Sequence, residues 1–123
     1  MSGLRACLKI AFAAGVALVV ILSLLPAKSL PSLGVSDKLE HFGAYAFLGL
    51  IGGFAFPTQR SMALLMAFLS ALAVLLELGQ WFVPGRLPEA RDAIASGFGA
   101  CTTLCLHLLL SWLARIRKMK VPD

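Results

Sequence analysis

Residues 61–83 form an almost wholly apolar run with one carboxylate, Glu77, inside it. About 20 helical residues at 1.5 Å each cross the ~30 Å hydrocarbon layer of a bilayer, so this run has spanning length. A carboxylate inside such a span costs roughly 2.5–3.5 kcal/mol on insertion scales and normally faces the bundle interior with a partner. What Glu77 meets therefore governs both how this chain folds and what it does.

The rest of the chain repeats the pattern. Apolar runs cover residues 8–25, 39–56, 61–83 and 93–113; the first three stop at Pro26, Pro57 and Pro84-Gly85, the last at the basic cluster Arg115, Arg117, Lys118 and Lys120. Each is near spanning length, although His41, Tyr45 and glycines dilute the second. Residues 26–38, 57–60 and 84–92 are short connections, which force neighbouring helices antiparallel. The expectation is an all-α integral membrane four-helix bundle with four transmembrane helices running up-down-up-down, as one domain over residues 1–123. Composition agrees: 14% of residues are charged, against about 25% in soluble domains, and mean hydropathy is +0.89. The first run has Arg5 and Lys9 ahead of it, as a signal peptide would. No clean A-x-A site follows, and the run is long for a signal core, so it is read as a retained helix. The net charge of +5 comes from basic residues at the ends of apolar runs, with no basic face interleaved with aromatics, which excludes a nucleic-acid surface. No GxGxxG, P-loop, HExxH or GxSxG pattern is present.

Charge orients the bundle. Seven of the 11 Lys and Arg (Arg5, Lys9, Arg60, Arg115, Arg117, Lys118, Lys120) fall on one side, where Asp123 is the lone acid. Lys28, Lys38, Arg86 and Arg91 fall on the other, balanced by Asp37, Glu40, Glu89 and Asp92. The positive-inside rule then predicts a multi-pass protein of the cytoplasmic (inner) membrane with both termini cytoplasmic. The basic tail would rest on anionic headgroups, chiefly fixing topology.

Polar residues gather at the opposite, outer end. Asp37, His41 and Tyr45 are spaced i, i+4, i+8 on one stripe of the second helix, beside Lys38. Glu77 and Gln80 are spaced i, i+3 near the outer end of the third. Arg86, Arg91 and Asp92 lie in the loop joining the third and fourth helices, and Ser96 sits one turn after Asp92.

The run Asp37-Lys38-Leu39-Glu40-His41-Phe42-Gly43-Ala44-Tyr45 resembles the D-K-x-x-H-F-x-x-Y signature of VanZ-like membrane proteins. Glu77-Leu78-Gly79-Gln80, then Pro84-Gly85-Arg86, Asp92 and Gly99, resemble the signature's second half, so the resemblance covers about residues 36–100. Where the family carries Asn after the Asp, this chain has Ser96, whose hydroxyl offers one donor rather than two. The resemblance implies a cell-envelope protein of a family named for teicoplanin (glycopeptide antibiotic) resistance, some relatives being associated with exopolysaccharide production.

Three functions are compatible with this pattern. The first is an envelope factor whose outward polar pocket binds a membrane lipid or lipid-linked glycan precursor, with Lys38, Arg86 and Arg91 on phosphate oxygens. The second is a membrane enzyme acting on such a lipid, with His41 and Glu77 as acid/base candidates. The third is an accessory subunit of an envelope complex for exopolysaccharide production or export. Against all three stands a purely structural network, in which Glu77 bonds His41 or Tyr45 and Arg86 pairs with Asp92 or Asp37. No cofactor and no metal is expected. Cys101 and Cys105, one turn apart and without further ligands, and Cys7 read as small apolar fillers. His107 reads as a packing histidine, and Trp81, Phe82 and Trp112 as interfacial anchors. Gly49-x-x-x-Gly53, Ala93-x-x-x-Gly97 and Ser96-x-x-x-Ala100 allow close helix contact inside the bundle, or the seam of a homo-oligomer.

Overall fold

The computed structural model describes residues 2–31 and 34–119. It is all-helical: α1 (Ser2–Leu24), a 3₁₀ turn (Ala27–Ser29), α2 (Asp37–Ala55), α3 (Gln59–Gln80) and α4 (Ala90–Met119). Local chemistry sets the boundaries. Ser36 caps α2 by accepting from the Leu39 N–H at 3.4 Å, and Pro57 bars its continuation. Thr58 and Ser61 form a reciprocal capping box at the start of α3, Thr58 Oγ1 accepting from the Ser61 N–H at 3.1 Å and Ser61 Oγ from the Thr58 N–H at 3.2 Å. α3 ends at Gln80 rather than 83. Pro84 disfavours helical geometry just before it, and the chain turns through Val83–Arg86 with Gly85 at φ +76°, a left-handed value that glycine adopts freely. At the other extreme, α4 continues past 113 to Met119 through Arg115, Arg117 and Lys118. Lys and Arg form helix well, and cations favour a helix C-terminus. Lys120 and Asp123 lie outside the described residues.

α2 packs most extensively on α4. A Cβ on Gly99 would collide with the Phe42 carbonyl, and one on Gly49 with the Thr103 hydroxyl; farther along, Gly53 faces His107. The contacts advance together, so the two helices run in the same direction, backbone close to backbone. This is the small-residue approach expected of membrane helices, but Ser96, Gly99 and Ala100 form the α4 face, while Gly97 meets nothing within 4 Å. Contacts Gly15–Leu48 and Phe12–Gly52 set α1 antiparallel to α2, and Leu24–Gly79 with Phe12–Phe68 sets it parallel to α3. Among the described residues α1 and α4 do not pack on each other.

The core is narrow: Tyr45, Leu48, Met62, Leu65, Leu69, Ala73, Ala100 and Leu104. Large apolar side chains instead cover the outside, among them Leu18, Ile21, Phe47, Leu64, Leu75, Phe98 and Leu109. A surface this apolar suits lipid rather than water. α1, α3 and α4 are long and apolar enough to cross a membrane; α2, which opens with Asp37, Lys38, Glu40 and His41, is not among them. Cys7, Cys101 and Cys105 lie exposed on outer helix faces, so they fill no core space. His107 packs edge-on to Phe54, ring centroids 5.1 Å apart, and Trp81, Phe82 and Trp112 are exposed.

Candidate functional site

The N-termini of α2 and α4 and the C-termini of α1 and α3 meet at one end of the bundle. A helix N-terminus leaves N–H groups without acceptors, and a C-terminus leaves carbonyls without donors. The polar residues answer both needs. Glu77, in the last turn of α3, accepts through Oε1 from the Glu89 N–H at 2.6 Å; its carboxylate thus sits at the positive end of α4. Arg86 donates from Nε to the Leu25 carbonyl at 3.2 Å and from Nη2 to the Leu22 carbonyl at 2.7 Å. Gln80 donates from Nε2 to the Ser23 carbonyl at 3.2 Å. The end of α1 is therefore closed by side chains from α3 and the loop that follows it.

On the α2–α4 side, Lys38 Nζ lies 3.0 Å from Glu89 Oε2, to which it donates, and 3.5 Å from Asp92 Oδ1. The Lys38 ammonium holds the Glu89 carboxyl below its ordinary range. One turn along α2, His41 Nδ1 lies 3.3 Å from Ser96 Oγ. One turn further, Tyr45 is buried and its hydroxyl has no hydrogen-bond partner among the described residues; the same holds for Asp92 Oδ1, which Lys38 approaches only as an ion pair. Ligand atoms of His41, Glu77 and Asp92, contributed by three different helices, lie within 4.8 Å of one another. Glu77 and Asp92 are 8% and 6% exposed. A carboxylate–imidazole–carboxylate group of this kind can bind a cation or relay a proton.

Two clefts flank the group. One, about 600 Å³, has apolar walls from Val19, Leu22, Leu30, Leu39 and Phe47, with His41, Tyr45, Gln80 and Arg86 at its polar side. The other, about 390 Å³, is lined by Val74, Leu78, Trp81, Pro88 and Ile94 and reaches Glu77.

Of the residues singled out from sequence, Lys38, His41, Tyr45, Glu77, Gln80, Arg86, Asp92 and Ser96 come together at this end. Asp37 does not: it is exposed at the first position of α2, because eight residues at 100° each rotate it about 80° from Tyr45. Arg86 pairs with neither Asp92 nor Asp37 but with α1 carbonyls, and Glu77 bonds a backbone N–H. Arg91 is exposed. Glu89, which pattern reading passed over, links Lys38 to Glu77. Its position just before α4, where backbone N–H groups are left open for an acceptor such as Glu77, was the available signal. No protein-family model, curated protein or solved structure matches the chain.

Proposed function

We propose that the chain is a four-span protein of the cytoplasmic membrane that holds an amphiphile, a lipid or lipid-linked glycan precursor, in the cleft between α1 and α2. α2 completes the up-down-up-down bundle as its interior helix, with its polar first turns at the outer end and both termini cytoplasmic. The 600 Å³ cleft carries this reading. Its walls suit an acyl or prenyl chain, and its polar side offers a headgroup His41 and the N–H groups that Arg86 does not use on α1. Arg86 has five such donors and gives two to carbonyls. Apolar pockets with a few convergent polar groups are the usual form of a ligand site. The resemblance to VanZ-like proteins supports a ligand drawn from cell-envelope precursors.

Gly43 lines this cleft, and a Cβ there meets nothing within 4 Å. Gly43→Phe therefore fills the cleft without disturbing the helix. Native mass spectrometry should show a lipid retained by the wild type and lost from Gly43→Phe at unchanged melting temperature. Equal retention by both proteins would refute the cleft as the binding place. The convergence of His41 and Glu77 favours one further reading, a membrane enzyme acting on an envelope lipid with these two as acid and base. Turnover of the co-purified lipid, abolished by His41→Gln, would be its signature.

A further inference from the structure

We propose that His41, Glu77 and Asp92 form a binding site for a divalent transition-metal ion. Three observations converge. One imidazole and two carboxylates present ligand atoms within 4.8 Å of one another, and imidazole with carboxylate suits Zn²⁺, Mn²⁺ or Fe²⁺. Four-coordinate Zn²⁺ with bonds of ~2.1 Å needs ligand atoms roughly 3.4 Å apart, so rotamer adjustments of about an ångström close the site. The second observation is the pair of unsatisfied buried atoms, Asp92 Oδ1 and the Tyr45 hydroxyl. The Asp92 oxygen belongs to the group itself, and Tyr45 lies one turn beyond His41 on α2. Buried polar atoms are ordinarily satisfied, and an exception points to an ion or water.

The third observation is charge. Among the described residues the ion pairs to this group come from Lys38, whose ammonium is shared between Glu89 and Asp92, while the Arg86 guanidinium near Glu77 spends two of its N–H groups on the Leu22 and Leu25 carbonyls. A 2+ ion would contact both buried carboxylates directly, which neither Lys38, partly exposed at the rim, nor Arg86, bonded to backbone carbonyls, does. His41 Nδ1 is within hydrogen-bond distance of Ser96 Oγ, a contact of the kind that orients a ligating imidazole when the other ring nitrogen takes the metal. The sequence expectation of no metal rested on the isolated Cys101/Cys105 pair. These three ligands come from three helices, and no local spacing announces them. The inference does not rest on the amphiphile reading.

The test uses the full chain in detergent, stripped with chelator and titrated with ZnCl₂ or MnCl₂. Bound metal is counted after desalting, and melting temperature is followed in parallel. About one equivalent per chain should bind, and melting temperature should rise with metal concentration, as mass action requires of a ligand of the folded state. Asp92→Asn and His41→Gln should each weaken binding at least about tenfold. Replacing Cys7, Cys101 and Cys105 together by Ser should leave it unchanged. Lys38→Met, which removes the competing ammonium, should bind at least as tightly as wild type. Co²⁺ loaded into the wild type should show visible ligand-field bands without a thiolate charge-transfer band, a readout independent of how the variants fold. No saturable uptake by the wild type, uptake that survives Asp92→Asn and disappears with the cysteines, or uptake lost in Lys38→Met would each overturn the proposal.

Discussion

The two ends of this bundle are built differently. At the polar end, side chains cross from one helix to another: Arg86 and Gln80 to α1, Glu77 to the start of α4, Lys38 to Glu89 and Asp92, His41 to Ser96. At the opposite end the capping hydrogen bonds are local, Thr58 and Ser61 bonding their own helix, and a helix-to-helix contact is made by the Lys9 ammonium, 5.6 Å from the centre of the Phe56 ring. The α2–α4 seam follows the same gradient. It has no room for a methyl at Gly99, whereas a Cβ on Gly53 would sit 3.5 Å from the His107 ring, an ordinary contact. Polar crosslinks and tight packing thus coincide. In a low-dielectric setting an unpaired polar group is costly, so a cluster of them demands helices held at fixed distances.

The contrast is most exposed to test at the seam. Gly99→Leu should destabilise by about 3 kcal/mol or more, since backbone stands where the side chain would go. Gly53→Ala should be neutral or slightly stabilising through helix propensity. Equal damage at both sites, measured by thermal unfolding in detergent, would erase the gradient. Next comes the buried acceptor. Glu77→Leu leaves the Glu89 N–H unanswered and should cost roughly 2–3 kcal/mol, with Glu77→Gln milder because its amide oxygen still accepts. Equal losses would show that Glu77 acts by volume alone.

Smaller effects sharpen the comparison. Arg86→Ala should lower stability by about 1.5 kcal/mol through the two α1 carbonyls it abandons, and Arg86→Lys should recover part of that. Thr58→Ala, at the other end, should cost about 1 kcal/mol as an ordinary cap loss. A double-mutant cycle between Glu77→Gln and His41→Ala should show coupling of at least about 0.5 kcal/mol, whereas pairing Thr58→Ala with either should be additive. The smallest effect concerns Glu89. Its folded-state pKa is depressed by Lys38, so its contribution is present above the usual glutamate value of about 4.3 and fades as pH falls through the lower folded value. The gap in melting temperature between wild type and Glu89→Gln should be open at pH 7 and closed at the acid end of that window.

Much of this was legible in the sequence. Apolar runs and prolines located the helices, and polar residues at matching depths located the cluster. Helix ends were less so. Apolarity marks where lipid would stop, not where hydrogen bonding stops, so α1 and α4 extend beyond their apolar runs. The α1 carbonyls that receive Arg86 and Gln80 were hidden altogether, because backbone acceptors carry no residue identity. The seam was half visible: glycine and small-residue steps announced close contact, but the choice of Gly99 over Gly97 depends on which neighbour α4 meets.

Arg86 also imposes an order on biogenesis. Its acceptors, Leu25 and Leu22, precede it by 61 and 64 residues, several seconds of synthesis at ~5–20 residues per second. In the proposed four-span protein, inserted as it is made, the end of α1 would wait with open carbonyls until α3 is in place and the Pro84-Gly85 turn delivers the guanidinium. Removal of α1 as a leader would strip Arg86 and Gln80 of their acceptors. The first helix is in this sense a late-fastened part, made first and locked only once the third is in place.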